Sequence, residues 1–165
     1  MGWVSDPAGT VSAMTEGIPI QDRFPPEYAH CFVCGPANPY GFQLASRWDG
    51  TAAVATFVPP QWFTGADPDT IPGGLTAALL DCHTAAAGAA AAAQRLGLGP
   101  QDRLPRVATA RLEVDFRAPT PIRTDLTLRA VVVESEGRKT WVTGELSASG
   151  RVTAQAKALI ITPKH

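Results

Sequence analysis

The sequence predicts an α+β fold in which one curved antiparallel sheet wraps around a single long central helix. Three observations lead there. The chain runs as two extended segments, one long alanine-rich segment, then four extended segments. Short turns separate the last four, and short turns make antiparallel neighbours. The alanine-rich segment carries small apolar residues on every face, so it must be buried all round, and only a sheet that curves about it can do that.

In order along the chain, residues 1–29 read as an irregular arm rich in Gly, Pro, Ser and Thr with little periodicity. Residues 30–165 read as the folded domain. His30 to Phe42 is a tight, turn-rich entry containing Cys31-Phe32-Val33-Cys34-Gly35. Phe42 to Trp48 and Thr51 to Val58 read as strands joined at Asp49-Gly50, a hairpin dipeptide. Pro59 and Pro60 end the second strand, and a loop follows to Thr70. From Gly74 to Arg95 no proline interrupts a run dominated by alanine and leucine, the strongest helix formers. Beyond a Gly/Pro loop, strands are expected over Arg106–Ala118, Asp125–Glu134, Lys139–Ala148 and Arg151–Ile161, with alternation such as Leu112-Glu113-Val114-Asp115-Phe116.

Inside the apolar helix stands one carboxylate, Asp81. Ala77, Ala78, Thr84, Ala85 and Gly88 flank it at helical spacing and leave space beside it. A buried carboxylate is costly unless something pairs with it. Gly73-Gly74 opens the helix, and its N–H groups at the positive end of the helix dipole suit an oxyanion. Gly73 and Asp81 are eight residues apart, so they lie roughly 12 Å apart along the axis and on different faces. One small reacting group cannot touch both in one chain. If both act on it, two chains meet across a two-fold axis with their helices antiparallel. The same pattern also fits a plain strand-to-helix turn at Gly-Gly with Asp81 as a satisfied buried polar residue.

Net charge is −1 and charged residues make up 18% of the 165, which argues against a nucleic-acid surface. The alanine helix is interrupted by Asp81 and His83, so no membrane span is expected. No basic-then-apolar leader opens the chain. With three cysteines, an odd number, a reducing cytoplasmic setting is expected. A closed metal site wants four ligands. Only His30, Cys31 and Cys34 lie close together, so two cysteines packed in a loop is the reading and no metal or cofactor is expected.

Residues 30–162 resemble the hotdog fold, in particular the phenylacetyl-CoA thioesterase-like branch of acyl-CoA thioesterases. Three stretches carry the resemblance: the entry Cys31-Phe32-Val33-Cys34-Gly35-Pro36-Ala37-Asn38-Pro39-Tyr40-Gly41, the block from Gly73-Gly74 to Asp81, and the strand from Val107 to Pro119. The resemblance implies that Asp81 activates water or attacks a thioester. It implies that the Gly73 N–H, supported by Gly74, polarises the carbonyl from the other subunit, and that Thr109 helps hold the water. It further implies an acyl-CoA substrate and a homodimer, with a dimer of dimers as the larger alternative. The family histidine before Gly-Gly is Pro72 here. An Asn or Gln often found in the preceding loop has Gln61, Asp67 and Asp69 as counterparts to choose from. His83 points about 200° away from Asp81 and is expected in the core or an interface. Cationic partners for the phosphates of coenzyme A are sought among Arg106, Arg117, Arg123, Arg138 and Lys139. The alternatives are a hotdog dimer that binds an acyl-CoA or apolar ligand without hydrolysis, which Pro72 favours, a hydratase, for which no His–carboxylate pair is evident, and a small metal-dependent protein built on His30, Cys31 and Cys34.

Overall fold

A computed structural model describes residues 17–163. Its ordered elements are β1 (Arg47–Trp48), β2 (Ala52–Phe57), α1 (Gly73–Arg95), β3 (Ala108–Phe116), β4 (Leu126–Glu136), β5 (Lys139–Ala148) and β6 (Arg151–Ile161). The six strands form one antiparallel sheet in the order β1-β2-β4-β5-β6-β3. α1 packs against β2, β4, β5, β6 and β3. This is the expected hotdog arrangement, with the sheet wrapped about the helix.

The apolar pattern of α1 divides the core in two. Leu75, Leu79 and Leu80 pack with Phe57, Ile71, Leu126, Leu128 and Leu146. Further along, where α1 offers only alanines, the larger side chains come from elsewhere: Ile20, Val142 and Ile160 fill the space. Each fully buried Leu or Ile contributes roughly 1.5–3 kcal/mol of transfer free energy. Gly88 lets the sheet approach: a Cβ there would stand 2.9 Å from Ile160 Cγ2. α1 is long and apolar enough to cross a membrane by composition, yet 67% of that window is buried against the sheet, so it is a core helix.

One expectation differs from the structure. The first strand, expected over Phe42–Trp48, forms ladder pairs only at Arg47 and Trp48. Gln43 adopts φ 52°, which breaks the extended run. Phe42 and Leu44 donate instead to the carbonyls of Phe32 and Val33 at 2.8 and 2.9 Å. The 42–46 stretch thereby holds the cysteine loop rather than the sheet. Of the expected arm, residues 1–16 lie outside the described residues and 17–29 within them. Ile20–Arg23 and Pro26–Tyr28 are short 3-10 turns, and Ile20 and Gln21 are buried in the domain.

β3 is one edge of the sheet, bonded only to β6. Its inward residues Thr109, Leu112 and Val114 are half-buried, whereas the inward residues of β5 and β6 are mostly fully buried. A bulge between Thr109 and Arg111 interrupts its pairing.

Candidate active site

α1 turns one stripe of residues, Ala77, Ala78, Asp81, Cys82 and Ala85, away from full burial, while the residues on either side of it are covered. A cavity of about 260 Å³ opens on that stripe. Asp81, Cys82 and Ala85 form its floor, and Phe24, Tyr28, Cys34, Arg106 and Val107 form its walls. Asp81 Oδ1 is buried with no hydrogen-bond partner among the described residues. A carboxylate oxygen left so demands a donor from outside the chain fold, such as water or substrate.

Gly73 and Gly74 open α1 and are exposed. Pro72 stands at the N-cap without a side-chain cap, its carbonyl taking the N–H of Leu75 and Thr76 at 3.0 and 3.2 Å. Among the described residues neither the Gly73 nor the Gly74 N–H meets an acceptor. Gly73 lies against the Phe116 ring, where a Cβ would come within 3.3 Å. It lines a second depression, of about 320 Å³, with Phe116 and Arg117. Gly73 and Asp81 therefore open onto different cavities of one chain.

Thr109 sits on β3 two residues past Val107, half-buried and beside the bulge, and is not among the residues lining the Asp81 cavity. Arg106 does line it, its guanidinium stacked 4.9 Å over the Tyr28 ring. Lys139 pairs with Ile161, which also pairs with Ala108, so Lys139 and Arg138 lie at the same end of the sheet as Arg106. Arg117 lies at the other end, donating to Gln155 and Asp115. Arg123 is held by Asp69 at 2.8 Å. Asp67 accepts the Asp69 N–H within its own loop, and Gln61 is exposed. None of these loop residues joins the cavity.

His83 is a core residue, wholly buried. Its Nε2–H donates to the Ala53 carbonyl at 3.1 Å, and its Nδ1 accepts the Ser46 hydroxyl at 2.9 Å. Ser46 in turn takes a hydrogen from Gln21 Nε2 and gives its own N–H to Gln21 Oε1. Burial pushes the imidazole pKa down to about 4, against a weaker opposite pull from the Ala53 carbonyl.

The thiols are the feature that the spacing did not foretell. Cys82, next to Asp81, brings its Sγ to 3.6 Å from that of Cys31, and Cys34 joins them. The Cys82 hydrogen bond, outweighing burial and aided by the Cys34 and Val33 N–H groups, lowers the Cys31 pKa to about 5. The same contact pushes Cys82 up. His30 is exposed and outside this cluster. Linear proximity suggested His30 and could not suggest a thiol 51 residues away.

No protein-family model and no curated protein matches the sequence. Among solved structures, a thioesterase superfamily protein from Shewanella loihica PV-4 is 33% identical, over 84% of this chain and 97% of that one, with TM-score 0.60. The chain belongs to the thioesterase superfamily. Two further solved structures share the fold at lower identity. The phenylacetic acid degradation-related protein of Ralstonia eutropha JMP134 is 22% identical over 76% of this chain and 89% of that one, with TM-score 0.59. The PaaI protein of the E. coli phenylacetic acid degradation operon is 17% identical over 68% and 73%, with TM-score 0.56. Membership of the superfamily accounts for the helix-in-sheet architecture.

Proposed function

We propose that the protein is an acyl-CoA thioesterase whose active site forms between two copies of the chain. The observation that carries this reading is the Asp81 carboxylate, one oxygen buried and unpartnered, on the floor of a mostly apolar cavity. A second copy, its helix antiparallel to this one, brings the Gly73 N–H to that carboxylate. The free edge of β3 and its half-buried Leu112 and Val114 supply a surface for such pairing.

Two courses serve the chemistry. In one, Asp81 takes a proton from a water, and the hydroxide oxygen bonds to the acyl carbon; Thr109, on β3 two residues past the cavity-lining Val107, holds that water only if the paired copy or the substrate extends the cavity to it. In the other, Asp81 Oδ bonds to the acyl carbon, and water then cleaves the anhydride. In both, negative charge moves onto the thioester oxygen, where the Gly73 N–H with Gly74 beside it stabilises it. Collapse breaks the C–S bond: in the first course the proton held by Asp81 passes to the departing sulfur, giving thiol and acid, and in the second the thiolate leaves and takes its proton from solvent, after which water adding to the anhydride frees the acid and restores the Asp81 carboxylate. One such donor contributes about 3 kcal/mol. Arg106, at the cavity wall, is the first candidate for the phosphates of coenzyme A, with Arg138 and Lys139 at the same end of the sheet. Arg117, beside Gly73, would come from the other copy.

The test is Asp81→Asn against an acyl-CoA panel. Turnover is expected to fall by about 10²–10⁴ with the fold intact. Unchanged turnover removes Asp81 from the chemistry. Pro72 in place of the family histidine favours a second reading, a ligand-binding hotdog dimer without hydrolysis. Tight acyl-CoA binding by the unmodified protein with no turnover of any thioester would establish it.

A further inference from the structure

We propose that Cys31, Cys34 and Cys82 form a three-thiolate site for a thiophilic d10 metal ion of the zinc class, which pins the entry loop to α1. The three Sγ atoms lie within 4.8 Å of one another, and Cys31 and Cys82 are 3.6 Å apart. Tetrahedral zinc with Zn–S bonds of about 2.3 Å holds its sulfurs roughly 3.8 Å apart. The cluster needs only small adjustments to reach that spacing. A disulfide, at about 2 Å, would draw two sulfurs much closer and strand the third thiol.

The loop that offers two of the sulfurs is rigid. The Gly35 N–H donates to the Cys31 carbonyl at 2.8 Å, closing a tight turn. A Cβ on Gly35 would stand 2.4 Å from Cys31 N and 2.5 Å from Ala29 O, so only glycine fits. Val33 is buried in the core and anchors the turn. The third sulfur comes from a core helix. All three cysteines are half-buried, which leaves a path for an ion.

Soft thiolates select zinc-class ions over magnesium or calcium. Three thiolates outweigh a 2+ charge and leave the ion a weak Lewis acid. Its role is therefore to fasten residues 31–34 to the turn of α1 that carries Asp81. Cys34 and Cys82 also line the Asp81 cavity, so water can reach the fourth position from there. The site stands independently of the hydrolytic reading, because its readouts are metal and thiol content.

The reduced full-length chain, stripped with a chelator, is titrated with Zn²⁺ against a chromophoric competitor and separately with Co²⁺. One ion per chain is expected, with a thiolate-to-cobalt charge-transfer band and loss of all three reactive thiols on zinc binding. Cys34→Ser and Cys82→Ser should each weaken binding by more than the about 10- to 100-fold typical of outer-sphere changes, while His30→Ala should not. No cobalt band in the unmodified chain overturns the proposal. So does binding that survives Cys82→Ser, or freshly reduced protein that shows a single reactive thiol.

Discussion

Asp81 and His83 stand two residues apart on α1 and meet opposite surroundings. Both His83 nitrogens are bonded and the ring is held neutral, whereas an Asp81 oxygen is left open beside a cavity. The unfolded chain binds a proton on His83 below pH 6.5, while the folded chain binds one only below about pH 4. Stability from this residue is therefore full above pH 6.5 and drains away as pH falls from there toward 4. The total is roughly 3 kcal/mol. Urea midpoints measured from pH 7.5 to 4.5 should show the decline, and a His83→Gln variant, weaker throughout, should lack that part of it. Arg106 permits a separate test at this scale. Arg106→Glu should raise KM for acyl-CoA several-fold and leave KM for a thioester lacking the nucleotide unchanged; equal effects on both would exclude a phosphate contact.

At the scale of elements, α1 and the sheet are fitted by exchange of bulk. Leucines on the first turns of α1 meet Leu126, Leu128 and Leu146, and its alanines meet Ile20, Val142 and Ile160. At Gly88 the sheet comes close enough that a Cβ would stand 2.9 Å from Ile160 Cγ2. Gly88→Val drives two methyls into Ile160 and should destabilise the fold by about 2–3 kcal/mol, as overpacked cores do. Leu79→Ala, at a fully buried position, leaves a hole instead and should cost about 2–5 kcal/mol. Thermal melts of the two variants check both values, with far-UV circular dichroism confirming that the helix persists.

For the whole molecule, the decisive geometry is the separation of Gly73 and Asp81 onto two cavities. The proposed chemistry then needs two chains, and a complementation experiment reads this directly. Gly73→Pro removes the oxyanion donor at a helix position whose backbone tolerates proline, with the exposed Phe116 ring giving way to the new Cβ. Its homodimer and that of Asp81→Asn should both be inactive. Mixed after unfolding and refolding together, half the dimers are hybrids with one intact site, so roughly a quarter of the unmodified activity should return. No recovery in hybrids shown to form would exclude a shared site.

Much of this was legible in the residues. The helix shows because alanine and leucine run unbroken from Gly74, and local propensity governs a helix. β5 and β6 end where expected, at Lys139–Ala148 and Arg151–Ile161, because Gly137 and Gly150 mark their turns. The lone acid and the Gly-Gly turn could be singled out because each breaks the pattern of its neighbours, and their separation along α1 follows from helix geometry alone. The rest depended on contacts between distant segments. Phe42–Ser46 gave up its strand because the cysteine loop claimed the Phe42 and Leu44 N–H groups and Gln21 that of Ser46, and Ser46 found His83 from far along the chain. Cys82 joined Cys31 across 51 residues. Periodicity records what a residue needs from its own element, and it carries no mark of which distant side chain the folded sheet will set against it.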